Sequence, residues 1–359
     1  MCVSWHNQLE SEIPIKHFRG KSCKVHSFGK SACFLAVTLL LLGFPFCGVC
    51  DELPMVSVPL GFEVSGYDRS RTWVSENGVF AFGFLDYSQK DDNDDDADGF
   101  VVGIRYNLGN KVSNVAVWTV GGGLRVSQNS TLRLSMDGRL ALVENPSGLI
   151  VWSSDSSSLG VQKATLLDNG NLVLMGFGDN VLWESFNSPT NTLLTGQSLH
   201  FPQNLRAPST KSISSYYNFV IRRSGELALV WESNVTYWRS HLSSSAIVKE
   251  ATFDSNGVLR LIDDTNRTVW SKSSKDFQDP SVVLRHLRID TDGNLRIYSW
   301  DSVLHTWRVG WQAVEDQCKV FGFCGLYSLC GYNSTGPTCD CLYQDSLNLG
   351  NWPSRDGFG

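Results

Sequence analysis

The residues of this 359-residue chain whose types and spacing could do chemistry are densest at its end. Cys318, Cys324, Cys330, Cys339 and Cys341 fall within 24 residues, after a stretch from Asp51 onward that holds no other cysteine. In a chain bound for an oxidising compartment such crowding reads as a disulfide module. Zinc is the alternative, but no pair of histidines accompanies the thiols. Five is an odd number, so either one thiol pairs outside the chain or a sixth cysteine lies beyond Gly359. Spacing does not give the connectivity. A second chemistry is acceptance of N-linked glycans, for which Asn129, Asn234, Asn266 and Asn333 head Asn-x-Ser/Thr sequons.

Catalysis finds no comparable pattern. His200, His241, His286 and His305 show no metal-ligand spacing, and no Gly-x-Ser-x-Gly elbow or phosphate-cradling glycine loop occurs. Gly121-Gly122-Gly123 reads as a turn before a strand. Scattered carboxylates could meet in space as a glycosidase requires, yet nothing in their spacing selects a pair. Asp94, Asp96, Asp98 and Gly99 mimic the start of an EF-hand loop. Its twelfth position, however, falls on Arg105 inside a strand pattern, without flanking helices. The acidic run Lys90–Gly99 therefore reads as a solvated loop insertion. The expectation is no enzyme, no catalytic residue, no cofactor and no metal site.

The elements that must position these residues repeat. One unit runs from Ala164 to Ser185: two short apolar strands broken at Asp168-Asn169-Gly170-Asn171, then a third strand ending in Trp183. Asn and Gly there signal a two-residue hairpin turn. The same glycine-to-tryptophan unit links Gly138 to Trp152, Gly170 to Trp183, Gly225 to Trp238, Gly257 to Trp270 and Gly293 to Trp307, at offsets of 14, 13, 13, 13 and 14. A stretched first copy begins at Glu76-Asn77-Gly78 and reaches Trp118. Apolar residues around each glycine alternate, as Leu132, Leu134, Leu140 and Leu142 do, which is strand periodicity. One such unit cannot bury its own apolar face, whereas three around an axis can, with their tryptophans meeting inside. Asn234 and Asn266 each follow their turn glycine by nine residues, which puts both sequons on equivalent loops.

Net charge is −6; residues 1–50 carry five basic and two acidic side chains, so the remainder is near −9. That balance gives no support to nucleic-acid binding. A basic lead-in (Lys16, Arg19, Lys21, Lys24, Lys30) precedes the apolar run Ala32–Phe46, a secretory signal pattern too short for an ordinary membrane span. An uncleaved signal anchor and a downstream start are the alternatives. No other stretch is apolar enough to cross a bilayer. Glu184–Leu199 reads as a connector between two sets of three copies.

The turn-and-tryptophan repeats resemble the bulb-type (monocot mannose-binding, β-prism II) lectin domain. The run Trp183-Glu-Ser-Phe-Asn-Ser-Pro-Thr-Asn-Thr-Leu-Leu-Thr-Gly196 resembles a signature of plant S-domain proteins, namely S-locus glycoproteins, G-type lectin receptor kinases and related secreted glycoproteins. Cys318–Cys341, with Phe321-Gly322-Phe323-Cys324-Gly325, resembles the EGF-like module that follows the lectin domains there. A PAN module would come next in that family and is missing from this chain.

The resemblance implies an all-β chain. Residues 1–50 would be a secretory signal peptide, 51–188 a first bulb-type lectin domain and 189–313 a second, lectin-like one. Each would be a β-prism II with threefold pseudosymmetry, and 314–359 would be a truncated EGF-like module. The family's mannose motif, Gln-x-Asp-x-Asn-x-Val-x-Tyr, supplies donors and acceptors for sugar hydroxyls and an apolar residue for the ring carbons. On the third copy it falls on Leu167, Asn169, Asn171, Val173 and Met175. On the sixth it falls on Asp290, Asp292, Asn294, Arg296 and Tyr298. On the second it falls on Ser135, Asp137, Arg139, Ala141 and Val143. No copy keeps all five residues, and the sugar-binding candidates are Asn169, Asn171, Val173, Asp292, Asn294 and Tyr298. The function implied is secreted or cell-surface carbohydrate recognition with weak or lost mannose binding. Its partner would be a mannose-type glycan or an extracellular protein or peptide. A peptide-recognition ectodomain and a structural wall glycoprotein are the alternatives.

Overall fold

The computed structural model describes residues 56–68, 71–86, 99–109, 115–208, 215–232, 234–242 and 247–342. The signal-like leader, the acidic run through Asp98 and any link beyond Leu342 lie outside them. All the described residues belong to one compact unit of strands and single 3-10 turns.

The hairpin around Gly170 shows how local chemistry makes the repeat. Strands Lys163–Leu166 and Leu172–Met175 pair antiparallel, and Leu167 N donates to Asn171 O at 2.9 Å. Between that pair lie Asp168, Asn169 and Gly170, with Gly170 at φ +84°. This is a three-residue loop ending in a left-handed residue, not the two-residue turn expected, and it needs one positive φ instead of two. Space matters as well, because a Cβ on Gly170 would lie 2.5 Å from Leu194 and 2.9 Å from Phe80.

Six four-stranded sheets follow from six such units, three to a lobe. In lobe one the first sheet orders Trp73–Val74, Phe80–Asp86, Phe100–Tyr106 and Ala116–Thr119, with Arg125–Val126 added beside the third strand. The second orders Glu63–Ser65, Thr131–Leu134, Leu140–Glu144 and Leu149–Ser153. The third orders Ser57–Pro59, Lys163–Leu166, Leu172–Met175 and Val181–Glu184. Lobe two repeats the plan. Its first sheet is Asn204–Arg206, Tyr217–Ile221, Leu227–Trp231 and Val235–Arg239. Its second is Ser198–Leu199, Val248–Phe253, Val258–Asp263 and Thr268–Ser273. Its third is Thr192–Leu194, Arg285–Ile289, Leu295–Asp301 and Thr306–Gln312. In both lobes the leading segment lays one edge strand on the third sheet, then the second, then the first.

Three sequence expectations need correction. Gly78 turns the chain from the edge strand Trp73–Val74 into Phe80–Asp86, so it is not the counterpart of Gly170. The acidic insertion stands where that hairpin turn would be. Glu184–Leu199 is more than a connector, because Thr192–Leu194 and Ser198–Leu199 are the first strands of lobe two. Finally, the sixth tryptophan is Trp311 rather than Trp307. Each tryptophan pairs with the residue four past its turn glycine: Trp152 with Leu142, Trp183 with Leu174, Trp238 with Leu229 and Trp270 with Leu261. Four past Gly293 is Ile297, and its partner is Trp311.

The indoles then meet as the repeat demands. Trp118, Trp152 and Trp183 stand 6.1–6.2 Å apart, edge to face, and Trp238 lies 6.3 Å from Trp270 and 6.2 Å from Trp311. Inward leucines close each core, Leu132, Leu142, Leu172 and Leu174 in lobe one and Leu229, Leu261, Leu287 and Leu295 in lobe two. Each buried side chain of this size stabilises by about 1.5–3 kcal/mol.

Trp307 has a different post. Its ring lies 4.7 Å from Tyr106 and 4.5 Å from His286, and it packs against the core of lobe one. With Tyr106, Phe80, Leu194 and Gly170 it forms the seam between lobes. The last module is a hairpin, Ser328–Asn333 with Gly336–Cys341. Disulfides Cys318–Cys330 and Cys324–Cys339 tie it, each with Cα atoms 5.4 Å apart, and Cys341 is not free either. It rests on lobe two, where Tyr217 Oη donates to Phe321 O at 3.0 Å and the Phe321 ring lies 5.3 Å from Trp231. No helix among the described residues is long and apolar enough to cross a membrane.

Candidate functional site

The outer face of each sheet is where the family motif would present its side chains. On the third copy that face is internally satisfied. Asn171 is buried, its Nδ2 donates to Glu184 Oε2 at 2.7 Å, and its Oδ1 accepts from Ser185 Oγ and Phe186 N. Asn169 turns its Oδ1 onto the Asn171 amide at 3.0 Å. Val173 is fully buried. Leu167 and Met175 are half-buried and offer no pair of donor and acceptor.

On the sixth copy a guanidinium fills the place. Arg296 stands where the motif has valine, and it binds Asp290 Oδ2 at 2.7 Å and Asp292 Oδ2 at 2.6 Å. Burial alone would lower the Arg296 pKa, but the hydrogen bonds and charge of Asp292, then Asp290, outweigh it and raise it. Asn294 donates to Val314 O and Gln317 Oε1 and accepts from Val314 N. Gln317, at the start of the Cys-rich module, closes the arrangement by donating to Asp292 O at 2.9 Å. Tyr298 Oη donates to Asp290 Oδ2 at 2.7 Å, and its ring stacks on His286 at 5.1 Å. Burial, with Asp290 next, raises the Tyr298 pKa. Burial, aided by Arg288, holds His286 well below the usual histidine range, and its Nδ1 has no partner.

The second copy keeps an open cleft of about 380 Å3 beside Glu63, Arg133, Met136 and Ile150. Asp137 and Arg139 pair in it through Nε at 2.8 Å and Nη2 at 2.7 Å, while Ser135 rims it and Val143 is buried. Hydrogen bonds from Arg139 hold the Asp137 carboxyl below its ordinary range. A wider cleft, about 610 Å3, lies on the fourth copy, where the family motif has no counterpart among the candidate residues.

Sequence reading also missed Gln317, and it missed a serine two past each of three tryptophans. Ser154, Ser185 and Ser240 accept from Leu140 N, Leu172 N and Leu227 N, at 2.9, 3.0 and 3.0 Å. The recurrent Trp-x-Ser was the available signal. Asn129, Asn234, Asn266 and Asn333 are all exposed, Asn234 and Asn266 on the equivalent last hairpin turns of their sheets.

A family profile described as D-mannose binding lectin matches residues 116–216, and one described as S-locus glycoprotein domain matches 249–344. The G-type lectin S-receptor-like serine/threonine-protein kinase SD3-1 of Arabidopsis thaliana is 41% identical over 291 residues, 77% of this chain and 36% of that protein. The chain belongs to the S-domain, bulb-type lectin family. A second S-domain relative, the Arabidopsis thaliana G-type lectin S-receptor-like kinase At1g34300, is 32% identical over 86% of this chain and 34% of its own length. This S-domain chain thus spans about a third of the length of these two curated relatives. Among solved structures, the two-domain lectin Scilla campanulata agglutinin is 16% identical over 60% of this chain and 89% of its own, at a TM-score of 0.26.

Proposed function

We propose that this chain is an extracellular carbohydrate-recognition unit whose third and sixth copies no longer take mannose. The observation that carries this reading is the engagement of Asn171 and Asn294: in both, the side-chain nitrogen and oxygen are hydrogen-bonded inside the protein. A sugar hydroxyl needs donors and acceptors that are free, and a ligand unable to replace existing bonds gains nothing from them. Arg296, paired to Asp290 and Asp292, covers the place where ring carbons would lie. Relatives named as receptor-like kinases, the two disulfides and four exposed sequons support an extracellular address. A glycan array on the purified protein tests this reading. The expected result is no retention on mannose-terminated glycans; retention abolished by Asn171→Ala or Asn294→Ala overturns it.

A peptide-docking role has one observation in its favour, the exposed Leu326, Tyr327 and Leu329 of the Cys-rich module. Peptide-display binders lost on Leu329→Ser would support it, and a selection yielding none would remove it.

A further inference from the structure

Five of the six copies share the turn glycine and allow an internal comparison of charge. Three residues precede each turn glycine: Ser135-Met136-Asp137, Leu167-Asp168-Asn169, Asp254-Ser255-Asn256 and Asp290-Thr291-Asp292 all hold a carboxylate. The fourth copy reads Arg222-Arg223-Ser224. On three other copies an arginine on this face is paired by its own turn: Arg139 by Asp137, Arg260 by Asp254, Arg296 by Asp290 and Asp292. Arg133 of the second copy forms no ion pair among the described residues, but its own turn still carries Asp137. Arg222 has no such partner. Its Nη2 donates to Thr236 Oγ1, and its buried Nε donates to nothing. Among the described residues no carboxylate pairs with Arg206, Arg222 or Arg223, in a chain of net charge −6.

These arginines surround the 610 Å3 cleft on the outer face of the sheet Asn204–Arg206, Tyr217–Ile221, Leu227–Trp231, Val235–Arg239. Arg206 and Arg222 line it directly, and Arg223 lies over the Phe201 ring at 5.9 Å. Phe201 is half exposed on the wall. Asn218 donates to Tyr216 O at 3.1 Å, which leaves its Oδ1 to accept, and the Asn204 amide also faces the cleft. Glu232 is the one carboxylate in the lining.

We infer that this cleft binds an acidic oligosaccharide, with ring carboxylates on Arg222 and Arg206 and hydroxyls on Asn204 and Asn218. The inference rests on the carbohydrate-recognition reading above and names the ligand class and the copy that would serve it. Guanidinium groups suit carboxylates through paired, charge-assisted hydrogen bonds. Amides serve hydroxyls as donor and acceptor at once, and an aromatic wall covers the apolar face of a ring. An acidic peptide would also satisfy the arginines. It would normally seek an unpaired strand edge, however, and this cleft lies on a sheet face whose main-chain groups are already paired. The volume falls within the roughly 300–1,000 Å3 of ordinary ligand clefts.

Isothermal titration of the whole chain with a galacturonate hexamer is the test. The expected result is binding that weakens with added salt, and none with the methyl-esterified hexamer. Arg222→Gln should weaken binding about tenfold or more, a step of about 1.4 kcal/mol. Ser224→Asp restores the turn carboxylate of the other copies at an exposed position and should weaken binding comparably without unfolding the sheet. Arg260→Gln, on the neutralised fifth copy, should leave affinity unchanged. Equal binding of ester and acid overturns the inference, as does a Ser224→Asp protein of unchanged affinity. So does a polyglutamate of equal length that binds as tightly as the hexamer, or a folded protein that binds no hexamer at all. Mannose retention on the array would instead strike the reading of copies three and six, so the two failures are separable.

Discussion

The third sheets of the two lobes are built from the same parts and put to different uses. In lobe one the last hairpin joins Leu172–Met175 to Val181–Glu184; in lobe two it joins Leu295–Asp301 to Thr306–Gln312. The longer hairpin adds a Trp300–Trp307 pair beyond the Ile297–Trp311 pair that serves the core. That added rung reaches Tyr106 of lobe one. The outer faces differ as well. Across lobe one's sheet run Ser57, Thr165, Val173 and Glu184, and across lobe two's run Thr192, Arg288, Arg296 and Gln312. Inward positions are held by the tryptophan triad and tolerate little change in volume. Outward positions are under no such demand, and here they have been rewritten into a seam and an ion-pair cluster.

The sharpest way to break this comparison is at the two tryptophans. Trp311→Ala should cost about 3 kcal/mol or more in chemical denaturation, because it empties the triad of lobe two. Trp307→Ala should cost less and act at the seam. The reverse order would put Trp307 back as the sixth core tryptophan. Next in size is Gly170→Ala, which meets both the left-handed φ and the close approach of Leu194 and Phe80. It should destabilise by about 2 kcal/mol, whereas Gly196→Ala, at φ +87° with open space around it, should cost about 1 kcal/mol. Matching melting temperatures for the two variants would show that the approach of lobe two is loose.

Arg296→Val puts the motif's apolar residue back but leaves Asp292 without its cation. A loss of about 1–2 kcal/mol in thermal melts is expected, although Arg288 still faces Asp290 at 3.4 Å. No loss would mean that the cluster adds nothing to the fold. The smallest effect is the pH response of His286, boxed by Tyr106, Tyr298 and Trp307 with Arg288 nearby. The unfolded chain takes up a proton near pH ~6.5 and the folded one resists it. Stability should therefore be complete above that pH and fall as pH drops below it, by at most about 1.4 kcal/mol per unit. His286→Phe should flatten the slope between pH 5 and 7, as read by denaturation at stepped pH.

Much of the fold was legible because turn glycines and tryptophans obey local rules that survive divergence. Gly138, Gly170, Gly225 and Gly257 sit at positive φ in equivalent turns, as their spacing implied. The sixth copy misled because the offset to Trp307 matches the others numerically, while the strand had lengthened beneath it. Only the cross-strand partner, Ile297, tells the two indoles apart. Edge strands such as Thr192–Leu194 were hidden for another reason: two or three residues are too few to show a period. The site was least legible. Whether Asn171 faces a ligand or its own Glu184 depends on a rotamer, and sequence spacing carries no information about that.

The leading segment of each lobe has a consequence for how the protein is made. Ser57 pairs with Thr165 and Thr192 with Arg288, each bridging most of a lobe along the chain. A lobe emerging from the ribosome therefore cannot shut until its last hairpin has been synthesised, and its earliest residues must wait unpaired for that arrival. Folding dominated by such distant pairings is slow. Lobe two begins at Thr192, a few residues after lobe one's final strand ends at Glu184, so the first clasp can fasten just as the second starts to be drawn out.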